Sequence, residues 1–271
     1  MVVHPTESRW VRLACLVVLL TLPVVVHGHG GPVPLAQWGN FPPDVVACQR
    51  ATSHAASLCT AGSLQILAAC AQSQLEGRSC DQGATLLAVS AVIRQAKNVV
   101  DQSCSDTQAR AMGFLGSLEL LSDLNTGCRS LSQGAINASY APAMPTGTIE
   151  PVDAVTRACI EASANASAKV LQFGFEAWRR ALDRIALQAL PLSTKQALVD
   201  RASAQIGRFA TRARASIARR CAPTDFFAAY QQSSASFLSP IANQPSCLAG
   251  LVYVQDAVAC TSPTPTPTVS Q

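Results

Sequence analysis

CQRATSHAASLCTAGSLQILAAC, residues 48–70, sets Cys48, Cys59 and Cys70 at two equal intervals of eleven residues in an alanine-rich segment. Eleven residues are close to three turns of α-helix, so on one helix the three would share a stripe, with neighbouring sulfurs about 16 Å apart at about 1.5 Å rise per residue. A zinc ion needs every sulfur at about 2.3 Å, which excludes a shared metal. Disulfide-bonded cysteines need Cα atoms about 4.4–6.8 Å apart, so Cys48 cannot bond Cys59 along the helix, and each must reach a different element. The chain holds no Cys-x-x-Cys pair, hence neither a haem-attachment motif nor a thioredoxin-type redox motif. The stretch therefore predicts a helix anchored at three points.

The flanks supply the compartment. Arg9 and Arg12 precede an apolar run from Leu13 to Val26, with small residues at Gly28 and Gly30. That is the layout of a secretory signal peptide over residues 1–28, cleaved after Gly28. Cys15 starts the apolar run rather than following it, against a lipidation role. Removing it with the leader leaves Cys48, Cys59, Cys70, Cys80, Cys104, Cys128, Cys159, Cys221, Cys247 and Cys260, an even set entering an oxidising compartment. Five structural disulfides are expected. Tying helix starts to helix ends across hairpins suggests Cys48 with Cys104 and Cys159 with Cys221, with Cys247–Cys260 closing the last helices. The other end, CTSPTPTPTVSQ, predicts a semi-rigid Pro/Thr tail over residues 261–271 with sites for O-linked sugars, and no hydrophobic segment suited to a GPI signal follows it.

Composition narrows the fold. Hydrophobic residues are 49% of the chain but aromatics only 5%, so the core is built by close approach of alanine-rich helices. The expectation is an all-α, disulfide-stapled helical bundle. An extended segment, residues 29–43, carries Trp38 and Phe41 as apolar plugs. Helix follows from Asp44, read as its cap, with a break expected at Thr60–Ser63. Asp81 starts a helix with Leu86, Val89, Ile93, Val100 and Cys104 on one face. Further helix, interrupted near Gly113 and Gly116, completes a first half over 44–137. Residues 138–150 read as a linker. In the second half, 151–260, Leu171, Phe175, Trp178, Leu182 and Ile185 form a core seam. A helix from Thr194 to Arg220 buries Leu198, Ile206, Phe209, Ala213 and Ile217, and LVYV at 251–254 has strand character. Cys48, Cys104 and Cys128 are spaced 56 and 24 residues apart, Cys159, Cys221 and Cys247 are 62 and 26 apart, and Phe114-Leu115 and Phe237-Leu238 fall before the last of each set. The two halves are expected to be related.

Chemistry is sparse. The net charge of +4 rests on 17 arginines against 3 lysines. It permits an anionic surface polymer or a protein partner and gives no case for nucleic acid in an exported chain. Arg201, Arg208, Arg212 and Arg219 fall within about 40° around one helix, an anion-binding candidate weighed against an ordinary solvated face. His29, freed at the new N-terminus, with His54 is a copper candidate. Glu119 and Asp123 at i, i+4 are an acid/base candidate, though exposed helical carboxylates are commoner. No nucleophile elbow, phosphate loop, zinc-protease or dinucleotide motif occurs. Asn137-Ala-Ser and Asn165-Ala-Ser fit the N-glycosylation pattern, usable in a eukaryotic host. The expected role is a secreted or cell-surface structural or binding module without a cofactor or, after leader removal, a membrane span. A helical inhibitor of a secreted enzyme shares that fold, and a small extracellular enzyme or copper protein using His29 is the alternative.

Overall fold

A computed structural model describes residues 33–145, 148–255 and 258. The leader, His29, Cys260 and the Pro/Thr tail lie outside the described residues. Eight α-helices occur among the described residues: α1 (Pro43–Leu75), α2 (Gln82–Ser103), α3 (Asp106–Ala111), α4 (Ser117–Tyr140), α5 (Ala154–Leu187), α6 (Leu192–Ala218), α7 (Pro223–Tyr230) and α8 (Ser234–Tyr253). A 3-10 turn, Ala141–Ala143, follows α4.

The order long, long, short, long repeats. In each half the first helix packs chiefly on the second and then on the fourth, and the short third helix sits against the first and fourth. Cys48 is the sixth residue of α1 and Cys159 the sixth of α5, and each bonds a cysteine just past the second helix, Cys104 or Cys221. The halves meet through α1, α4, α5 and α8, leaving α2 and α6 outermost. The larger hydrophobic core runs through both halves, and a second, around Cys159, Val170, Ile217, Phe226 and Phe237, lies within the second half. The larger one contains the whole seam Leu171, Phe175, Trp178, Leu182 and Ile185.

α1 is continuous through Thr60–Ser63, where a break was expected. Thr60 and Ser63 are buried, and Ser132 of α4 donates to the Thr60 carbonyl at 3.4 Å. At Gly62 an added Cβ would lie 3.1 Å from Val92, so these small residues admit α2 and α4 closely rather than end the helix. By length and composition α1 is apolar enough to cross a membrane. Here it is the central helix, with disulfides leaving it at three heights.

Other boundaries also move. Pro43 opens α1, and Asp44 lies in its first turn with its carboxylate accepting from Gln108, instead of capping. Asp81 does cap α2, accepting from the Ala84 amide. Leu86 is 58% exposed and off the buried face, which Val89, Ile93, Ala96 and Val100 form. The break near Gly113 and Gly116 is present, between α3 and α4. The segment read as linker begins as helix: Ser139 and Tyr140 end α4 buried, and the Ser139 hydroxyl bonds Ser167 of α5 at 3.1 Å. Leu198 and Phe209 are half-buried where full burial was expected. LVYV continues α8 to Tyr253, and among the described residues the β-pairing here is one isolated parallel bridge, Gln255 with Val33.

The N-terminal segment is a docked plug. Trp38 is fully buried, edge-on to Phe41 at 5.2 Å and to Tyr253 at 5.8 Å. Gly39 has φ +106°, and an added Cβ would meet the Ile185 carbonyl oxygen at 2.4 Å, so the chain passes here only as glycine. The buried Lys195 ammonium donates to the carbonyls of Leu35, Ala36 and Trp38 at 3.2, 3.2 and 2.7 Å. Those bonds use its three protons on the plug.

Candidate functional site

The cysteines act as staples. Cys48 bonds Cys104, Cys59 bonds Cys128, Cys70 bonds Cys80 and Cys159 bonds Cys221. Cys247 is also disulfide-bonded, while the Cys260 proposed as its partner lies outside the described residues. Three successive cysteines of α1 thus reach the end of α2, the middle of α4 and the α1–α2 turn. Four disulfides fit an oxidising environment.

At the junction of the halves lies a polar network. Asp183 of α5 accepts from the Tyr253 hydroxyl at 2.8 Å and from Ser53 of α1 at 3.4 Å. Arg179 pairs with Glu176 at 2.7 Å and lies 3.9 Å from Asp183, and Ser57 donates to Glu176 at 2.8 Å. Burial pushes the Asp183 carboxyl above its usual range, more than its bonds to Tyr253 and Arg179 pull it down. Burial raises Glu176 as well, but hydrogen bonds from Arg179 and Ser57 outweigh it and hold that carboxyl below its usual range. Tyr253, buried beside Asp183, is pushed well above the ordinary phenol. These groups fasten α1, α5 and α8 together.

His54 is exposed on α1. Glu119 lies in the first turn of α4, where its carboxylate accepts from the Leu115 amide at 2.5 Å, while Asp123 is buried. The two are not displayed together as an exposed pair. Asn137 and Asn165 are both exposed, on α4 and α5. Asn137 stands on the rim of a cleft of about 210 Å³ between α1, α2 and α4, lined by Leu67, Ala71, Ile136 and Met144 among others.

An assembly of like charge lies on the α5–α6 hairpin. Arg201, Arg208, Arg212 and Arg219 are all exposed. Residues 201–220 contain six arginines and no acid. α5 adds a second row that its core seam conceals in the sequence: Lys169, Phe173, Arg180 and Arg184, stepping 4, 7 and 4 residues, all exposed. Such steps keep side chains on one helical stripe. Phe173, 49% exposed, meets the half-buried Phe209 of α6 with ring centroids 5.7 Å apart, joining the two rows. Counted outward from this contact along antiparallel helices, Lys169 stands level with Arg212 and Arg180 with Arg201. None of these seven cations has an ion pair among the described residues. Nearby acids have other partners, Glu176 in Arg179 and Ser57 and Asp200 in Gln196 at 2.9 Å, although the Arg180 charge also helps hold the Glu176 carboxyl down. Within α5 the Arg180 guanidinium donates to the Glu176 carbonyl at 3.1 Å, and just past its end Arg184 donates to Gln188 at 3.5 Å. The signal for the second row was its own 4, 7, 4 step, but joining it to the first requires the hairpin's register.

Comparison of the chain with family models, with curated proteins and with solved structures gives no match.

Proposed function

We propose that this chain is an exported protein, secreted or displayed at the cell surface, that works as a disulfide-stapled helical module for binding or structure. The observation that carries the reading is the set of disulfides fastening helix to helix in the core, where Cys48, Cys59, Cys128 and Cys159 are fully buried. Such cross-links form and persist in oxidising compartments and stabilise a core poor in large side chains. The leader-like residues 1–28 supply the route, and the unpaired charge of the α5–α6 hairpin supplies a surface to present.

Expression with the native leader tests this. The expected product lies outside the cytosol, begins at His29, and takes up no alkylating reagent under denaturing, non-reducing conditions. A cytosolic product with several free thiols would overturn it.

A further inference from the structure

We propose that the outer face of the α5–α6 hairpin binds a linear acidic polysaccharide, its carboxylates or sulfates held by the two basic rows and the apolar face of a sugar ring laid on Phe173 and Phe209. This rests on the exported reading, since such polymers lie outside the membrane.

Three observations converge. Seven exposed cations stand in two rows with no direct ion pair among the described residues, Arg180 alone feeling a nearby carboxylate, Glu176, and guanidinium groups take carboxylate or sulfate oxygens in bidentate fashion. Arg201 to Arg219 spans about 27 Å of straight helix, enough for several sugar units of an extended chain. Between the rows lies an aromatic pair of which Phe173 is half exposed, a feature that charge alone does not need. A pyranose presents C–H bonds on its faces and charged substituents at its edge, which matches a ring platform flanked by cations.

A bilayer fits less well. Interfacial helices bury a continuous apolar face, whereas here the residues around the arginine row, Ala204, Gln205, Ala215 and Ser216, are small or polar. The bundle does not require these charges either. At the same distances before Cys104 as the four arginines stand before Cys221, the first half carries Ala84, Ala91, Gln95 and Gln102, all exposed.

The test is calorimetric titration of the disulfide-intact protein with polygalacturonate and with heparin oligosaccharides. Single-stranded DNA and phosphatidylglycerol-containing vesicles serve as competing ligands. At least one sugar polyanion is expected to bind, with affinity falling tenfold or more between about 50 and 200 mM salt, as for other phosphate- or sulfate-rich chains. Phe173→Ala is expected to weaken binding about 3- to 10-fold, the worth of an aromatic contact beyond area burial. Arg208→Ala with Arg212→Ala should weaken it further, with circular dichroism unchanged for both variants. Failure of both sugars to bind overturns the proposal, as does tighter binding to DNA or vesicles, or binding that ignores Phe173. A fully oxidised, exported protein that binds neither sugar sinks this inference alone, whereas free thiols sink the reading beneath it.

Discussion

Helices α2 and α6 hold the same place in the two halves. Each packs on the first helix of its half and on the fourth, and each is closed by a disulfide just past its last turn. Their outward faces differ. α2 turns out Leu86, Leu87 and Val99 with few charges, while α6 turns out a row of arginines. A bundle of this kind needs an apolar inner stripe from its outer helix, and Val89, Ile93, Ala96 and Val100 provide it on α2 as Val199, Ala202, Ile206, Ala213 and Ile217 do on α6. The outer face is left free of that requirement, and the proposed polysaccharide surface is built on it.

The comparison breaks first at the disulfides. Cys48–Cys104 and Cys159–Cys221 close loops of similar length, 56 and 62 residues. Replacing either pair by alanine is expected to cost about 4 kcal/mol in denaturant unfolding by loop-closure entropy. The Cys70–Cys80 staple spans only 10 residues, and its removal is expected to cost less, about 2.5–3 kcal/mol. If one long staple proved dispensable and its counterpart essential, the halves would not share a scaffold.

A smaller effect is expected where only the second half carries a device. Lys195→Met removes a cation that satisfies three carbonyls of the plug. The expected loss is about 2–3 kcal/mol, the usual worth of hydrogen bonds to a charged group left unmade. Proteolysis of residues 33–41 should quicken with it. An unchanged cleavage rate would show that the plug is held without Lys195, by Trp38 and the backbone bonds of Val33, Asn40 and Phe41.

These features were unequally legible in the sequence. The helical content, the seam from Leu171 to Ile185 and the cap at Asp81 follow from local periodicity and capping chemistry, which the bundle leaves intact. Thr60–Ser63 misled because small polar residues signal a turn in isolation, whereas buried against α2 and α4 they are what lets the helices close up. Ser139 and Tyr140 read as linker for the same reason: the prolines nearby are a local signal, and the burial that holds those two residues is not. Cys59 with Cys128 and Cys70 with Cys80 could not be chosen among alternatives until α1 was known to be continuous. Half of the basic face was hidden because a charge row on one helix acquires a neighbour only through tertiary register.

The junction network gives a pH test with opposite signs at two neighbouring carboxyls. Asp183 has a raised value in the folded state, so its contribution to stability is full below the ordinary carboxylate range and is lost as pH rises through the raised value. Glu176 has a lowered value, so its contribution is present above the ordinary range and is lost as pH falls through the lowered one. In urea unfolding between pH 7 and pH 4, the wild type should gain stability relative to Asp183→Asn and lose it relative to Glu176→Gln. Parallel behaviour of the two variants would mean that burial does not separate these carboxyls.

The smallest expected effect tests the central claim, that the second half carries its basic face on a scaffold indifferent to it. Arg201→Ala, Arg208→Ala, Arg212→Gln and Arg219→Gln, combined in one protein, give α6 and its C-cap the residues that stand at the matching positions of α2. Thermal unfolding followed by circular dichroism should place this variant within about 3 °C of the wild type, as for exposed side chains outside the packed core; at Arg219, the C-cap of α6, the cap bond is made by the backbone amide, which the change keeps. A fall of about 8 °C or more, or loss of helix, would show that the arginines hold the fold together and contradict the account.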